Sequence, residues 1–268
     1  MAKFFKVDNP STSMLASVGA QILVMLVMLG CLVTQPLQAT EQIPATTQAA
    51  PPVHCFEARY RVFWHGLYAA NADWRVQAVG KQQYLAESQV KPRFSFIPFE
   101  YQESSQFAAK TQGVHPLQFS FFLHEKKETH EGTVDFHWPT QTLQQTSSLG
   151  NKDMTLSPNT QDKISLIIQL GRALQQTAGQ KNTAKHWAFP VLEPKKLQMH
   201  SFRVLKYETL KTPIGKLETV LVEQKAEGSS RHSHLWLAVD LNYLLVKIEQ
   251  FKDQKPVGHS VIQSYQPL

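Results

Sequence analysis

The chain has 268 residues, and its hydrophobic and aromatic shares of 42% and 10% exclude a disordered protein and allow a large core without disulfide staples. Charged residues make up only 18%. The net charge of +6 is scattered, with no Lys/Arg run interleaved with aromatics, so nothing in it favours nucleic-acid binding. A weak attraction to anionic lipid head groups remains compatible with that charge, and peripheral membrane contact stays among the expectations.

The first 39 residues read as a secretory signal. Lys3 and Lys6 supply a basic start, Ile22 to Val33 an apolar run, and Thr34 to Ala39 a Pro36-containing segment ending in a small residue. Cleavage is expected after Ala39. Two alternatives stand beside it. An uncleaved anchor would need about 20 apolar residues, a length reached only by extending back to Met14 across Ser17, Gly19 and Gln21. A lipoprotein would use Cys31, but bulky Leu29 sits two residues before it. Cleavage leaves Cys55 as the single thiol, best read as a small apolar residue at the start of a strand. The expected product is periplasmic and soluble.

Residues 40–54, rich in Thr, Ala and Pro, read as a flexible linker, followed by one β-rich domain over 55–268. Cys55 to Trp64 alternates with a period of two, placing Phe56, Ala58, Tyr60, Val62 and Trp64 on one face. His65–Gly66 turns into a second strand, Ala70 to Val79, and Gly80–Lys81 into a third, Tyr84 to Val90. Pro98 denies the aromatic stretch Phe94 to Tyr101 a central position, so an edge, a bulge or a mouth-lining segment is expected there. Leu117 to Leu123 and Thr133 to Trp138 predict a hairpin with a charged tip from Glu125 to Glu131, and Leu143 starts another strand. Asp162 to Leu174 breaks the pattern. Ile164, Ile167, Ile168, Gly171 and Leu174 define a helical face, with Asn159 or Thr160 as its cap and an end near Gln176. Strands resume at Trp187–Leu192, Leu197–Thr209, Lys216–Gln224, His234–Val239, Leu244–Phe251 and Val257–Tyr265. About a dozen antiparallel strands cannot stay flat and open. The fold class expected is mainly β: a large curved antiparallel sheet or partly open barrel, its concave side or one end covered by one amphipathic helix.

Five segments in order carry a resemblance. They are Val114–Phe119, Thr133–Trp138, Gln161–Leu166, Tyr207–Gly215, and Leu235–Asp240 running into Leu244–Glu249. Together they resemble the family of exported bacterial proteins known as domain of unknown function 3108, over roughly residues 55 to 266. The sequence departs from the family's pattern at Leu245, where proline is usual, and at Lys163–Ile164. The resemblance implies a periplasmic β-rich domain and no activity.

Catalytic and metal motifs fare poorly. His124, Glu125, His130, Glu131 and His137 flank a hairpin tip where Lys126 and Lys127 would repel a cation. His232 and His234 share a strand face, but no nearby Asp, Glu or Cys in the sequence completes a ligand set. Ser229 and Ser230 lie in a polar turn, Ser165 and Lys163 point apart on the helix, and Glu100 and Glu103 would face together only in a helix. No catalytic residue, metal ligand or cofactor is expected, and the ligand-binding residues stay unknown. The aromatics Trp64, Trp74, Phe94, Phe96, Phe99, Tyr101, Phe119, Phe121 and Phe122 read first as core and second as a cavity lining.

The leading expectation is a non-enzymatic protein binding a lipid or other amphiphile in the curved sheet. The alternative is an envelope protein–protein interaction or assembly factor with a closed core. A cavity above about 300 Å³ favours the first, and a filled interior with an exposed apolar patch or free sheet edge the second. A buried carboxylate beside a histidine in a cleft would favour an enzyme.

Overall fold

The computed structural model describes residues 53–94, 96–148, 150–178, 185–194 and 196–268; the expected signal and most of the expected linker lie outside them. Fourteen strands run as β1 (Phe56–Trp64), β2 (Leu67–Gly80), β3 (Gln83–Pro92), β4 (Phe99–Lys110), β5 (Gly113–Glu125), β6 (Glu128–His137), β7 (Thr142–Ser147) and β8 (Lys152–Thr155), then β9 (His186–Glu193), β10 (Lys196–Thr212), β11 (Gly215–Ala226), β12 (Arg231–Ala238), β13 (Leu244–Lys252) and β14 (Lys255–Pro267). A helix, α1 (Lys163–Gln176), separates β8 from β9. No helix among the described residues is long and apolar enough to cross a membrane.

All fourteen strands form one antiparallel sheet in the order β8-β7-β6-β5-β4-β3-β2-β1-β14-β13-β12-β11-β10-β9. Two meanders are joined at the middle by the pairing of the first strand with the last, Tyr60 opposite Ile262. The connections are tight because residues at the turns accept positive φ, as at His65–Gly66 and Asp253–Gln254. Register shifts at Val62/Phe63, Gln106/Phe107, Val204/Lys206 and Trp236/Leu237 bend the strands and add twist. The sheet therefore curls into a trough. It does not close: β8 and β9 are its two ends, and the segment before the helix lies between them. Gln161 forms a parallel bridge to Val191, and its side-chain amide donates to the Val114 carbonyl at 2.9 Å.

The expectation of a curved sheet with one helix holds, with corrections in detail. β4 is a long central strand, although the sequence reading found none beyond Tyr101. Pro98 falls just before it, where no ladder donor is lost, so proline does not exclude the strand. Short β8 was also missed. The helix is capped by Asp162, not Asn159 or Thr160. The Asp162 carboxylate accepts from the backbone N–H of Ile164 and Ser165, and the Ser165 hydroxyl accepts in return from the Asp162 N–H. Asn159 occupies the left-handed turn before it, and the Thr160 hydroxyl donates to Ser157.

The trough wraps α1, so two faces are buried where periodicity suggested one. Leu166, Leu170 and Leu174 pack on Phe202, Val220, Val222, Leu235 and Leu237, while Ile164 meets Tyr84 and Phe107 on the other side. At the start of the described residues, Val53 is buried, its N–H bonded to the Tyr84 hydroxyl, and His54 stacks on Phe56.

Candidate functional site

Chain direction decides where the open space lies. The helix starts at mid-trough, beside Glu103, and ends near the turn where the Arg172 guanidinium donates to the Lys110 carbonyl. It thus fills the half of the trough next to the β2–β3 and β4–β5 turns. The other half, toward the β1–β2, β3–β4 and β13–β14 turns, holds a cavity of about 290 Å³. Its wall combines Tyr60, Val62, Trp74 and Val90 of the first meander with Leu245 and Ile248 of the second, roofed by Ile164 and Ile167 of the helix.

Where this cavity meets the helix N-terminus, buried polar groups converge. Glu103 on β4 is 6% exposed and accepts a hydrogen bond from the Tyr101 hydroxyl two residues away on the same strand face. The Lys163 ammonium lies 4.0 Å from it. Burial pushes the Glu103 carboxyl above the usual range, against the opposing pull of Lys163, and it pushes the Tyr101 phenol well up. From the far end of the sheet come Glu193 at the end of β9 and His200 on β10, both buried. The Gln224 amide lies 3.0 Å from His200 Nδ1; as donor it makes that nitrogen the acceptor and leaves the proton of the neutral ring on Nε2. Nε2 is 3.3 Å from Glu193 Oε1 without hydrogen-bond alignment, and Glu193 Oε2 has no hydrogen-bond partner.

The sequence names Tyr101, Glu103 and Lys163 in other roles and does not point to Glu193 or His200. Glu103 was weighed only as a helical partner for Glu100, whereas in a strand the two face opposite ways: Glu100 bonds Gln89 and Gln102 on the outer face. Glu103, Glu193 and His200 share no sequence motif because they come from opposite arms of the sheet. A carboxylate and a histidine at alternating, otherwise apolar positions were the available signal.

The expected aromatics divide. Trp74 lines the cavity; Phe99, Tyr101 and Phe119 are buried in neighbouring packing; Phe94 and Phe96 are exposed and stacked on each other. The lining is thus drawn from both halves of the chain. His124, His130 and His137 do not converge: they bond or pair with Thr129, Glu128 and Gln144 respectively. Cys55 is a free, half-buried thiol, and His54 is engaged with the Tyr265 hydroxyl. Ser229 stays in its turn, accepting from the Arg231 N–H, and Ser165 serves the helix cap. On the outer face, His232 and His234 are joined by Glu223 of the adjacent strand, a residue the sequence pattern did not supply.

Curved sheet, inserted helix and half-filled trough define a class: an open β half-barrel with an internal cavity. The chain belongs to the family of domain of unknown function 3108, described as proteins of unknown function, whose model matches residues 59–254. Two solved structures are similar to it. One, from Bacteroides fragilis and described as exported with a YmcC-like fold, is 11% identical with a TM-score of 0.40, covering 81% of this chain and 98% of that one. The other, from Parabacteroides distasonis and described as a lipoprotein, is 10% identical with a TM-score of 0.38, covering 82% and 100%. No curated protein matches the chain.

Proposed function

We propose that this is a periplasmic, non-enzymatic protein that holds an amphiphile in the open half of its trough. The observation that carries this reading is the cavity itself. Its volume of about 290 Å³ falls just under the lower bound of ligand pockets, about 300 Å³, and apolar surface dominates its wall. An apolar tail would lie on Val62, Val90 and Ile248. A hydroxyl or amine on the head would donate to Glu193 Oε2, a buried acceptor with no hydrogen bond of its own. Buried Glu193 beside His200 is the arrangement that would favour an enzyme, yet the setting of His200 supports binding instead. Its ring nitrogens face Gln224 and Glu193, so the imidazole is not aligned on a hydroxyl or thiol.

The test is native mass spectrometry on protein purified gently from an envelope fraction, with a Ser260→Phe variant in parallel. Ser260 lies on the cavity wall, opposite Val62 in register, so a phenyl ring there would occupy the space. A stoichiometric amphiphile on the wild type that is lost from the variant is expected. A wild type reproducibly free of ligand would overturn the proposal.

A second reading is supported by the mouth. The meander places the β3–β4 connection at the open end, where Leu67, Phe94 and Phe96 are exposed and Arg93 stacks its guanidinium over Phe94. Such a rim suits an envelope protein or a lipid surface. The sheet edges suit a protein partner less well. β8 is four residues long and carries Lys152 and Asp153, and β9 is partly covered by the Gln161 bridge.

A further inference from the structure

The outer face of the sheet carries a second cluster, apart from Glu103, Glu193 and His200, although His232 in it also borders the cavity. Glu223 on β11 stands directly opposite His234 on β12, and His232 precedes His234 by two residues on the same strand face. Leu235, between that pair and Trp236, points to the helix-filled side, so both imidazoles point away from it. One ligand atom from each of Glu223, His232 and His234 lies within 4.8 Å of the others, and all three side chains are half-buried.

From this geometry we infer a divalent transition-metal site of the zinc or copper class, bound by His232, His234 and Glu223 with water completing the coordination. Two imidazoles and one carboxylate are the donors such ions prefer, and three protein ligands leave a position open. Tetrahedral ligands about 2.0 Å from zinc lie about 3.3 Å apart, so small side-chain rotations close the present spacing. The surroundings restrain those rotations. Phe251 stacks on His232 at 4.7 Å and 4°, and packs against His234 at 4.8 Å. The Arg203 guanidinium bonds Glu223 Oε2 at 3.0 Å, which orients the carboxylate and leaves Oε1 as the metal-facing oxygen. Nearby Lys247 is drawn to Glu249 at 2.7 Å, so its charge is offset beside the site. The site needs the β11–β12 register, since Glu223 and His234 are eleven positions apart in sequence but cross-strand neighbours in space.

The test is calorimetric titration of the full mature, tag-free protein with zinc chloride and with copper chloride, plus electron paramagnetic resonance of the copper form. One ion per chain is expected, with two-nitrogen hyperfine structure. Glu223→Gln and His234→Gln should each weaken binding by at least tenfold while leaving the circular-dichroism spectrum unchanged. His130→Gln, at the distant hairpin tip, should bind as the wild type does. Absence of binding at about 100 μM metal, well above the range of structural sites, would overturn the assignment, as would equal affinity in a folded His232→Gln/His234→Gln double variant.

Discussion

Glu193 and His200 face each other across the β9–β10 hairpin at 3.3 Å, both buried, at the wall of the trough's open half. Each reaches this position from a strand whose neighbours, Val191 and Phe202, are core residues. Two ionisable groups so placed are expensive to bury and are best kept together.

That relationship predicts non-additivity. His200→Leu alone should destabilise the protein by about 3 kcal/mol, because it leaves Glu193 buried without the ring that faces it. Glu193→Gln combined with His200→Leu should recover about half of that loss. Urea unfolding of the two single variants and the double variant measures the coupling; strictly additive values would mean that the residues do not act as a pair.

The helix cap links two elements and so should matter beyond its own turn. Asp162 is fully buried, accepts two backbone N–H bonds, and also accepts from the Ser105 hydroxyl on β4 at 2.6 Å. Asp162→Ala should cost about 2 kcal/mol or more, the upper end for an N-cap, with Ser105 left unpaired as well. Asp162→Asn should cost less, since its side-chain oxygen still accepts. Thermal melts of both variants check the order.

Glu103 predicts a pH dependence. Burial raises its carboxyl above the ordinary value, so the folded state binds the proton more tightly than the unfolded chain. The stability tied to this group is therefore fully present below the usual carboxylate range. It is lost as pH rises through the raised value. Glu103→Gln removes the ionisation, so its melting temperature should gain on the wild type between pH 4 and pH 7. A difference that stays constant over that window would show that Glu103 ionises as freely in the folded protein as in the unfolded one.

Strands and turns were legible where apolar residues alternate on one face. β1 reads directly because Phe56, Ala58, Tyr60, Val62 and Trp64 are all buried. β4 does not, because its inward positions include Glu103 and Ser105. Those polar side chains meet Tyr101, Lys163 and Asp162 inside and erase the hydrophobic period. The same residues that make the site interesting made the strand invisible. The helix was found, but its cap was misplaced, since Asn159, Thr160 and Asp162 are all good capping residues and only the path past Val191 selects the third.

The sequence by itself determined the class of the fold: alternation sets the strands, Gly and positive-φ turns set the meander, and a single break in the period sets the helix. Tertiary structure decided the rest. The pairing of β1 with β14 and the curl of the sheet bring Glu103 to Glu193 and His200, and cross-strand register brings Glu223 to His232 and His234. Local periodicity records which face a side chain takes. It carries no information about which distant strand will lie opposite, because that depends on register and curvature summed over the whole sheet.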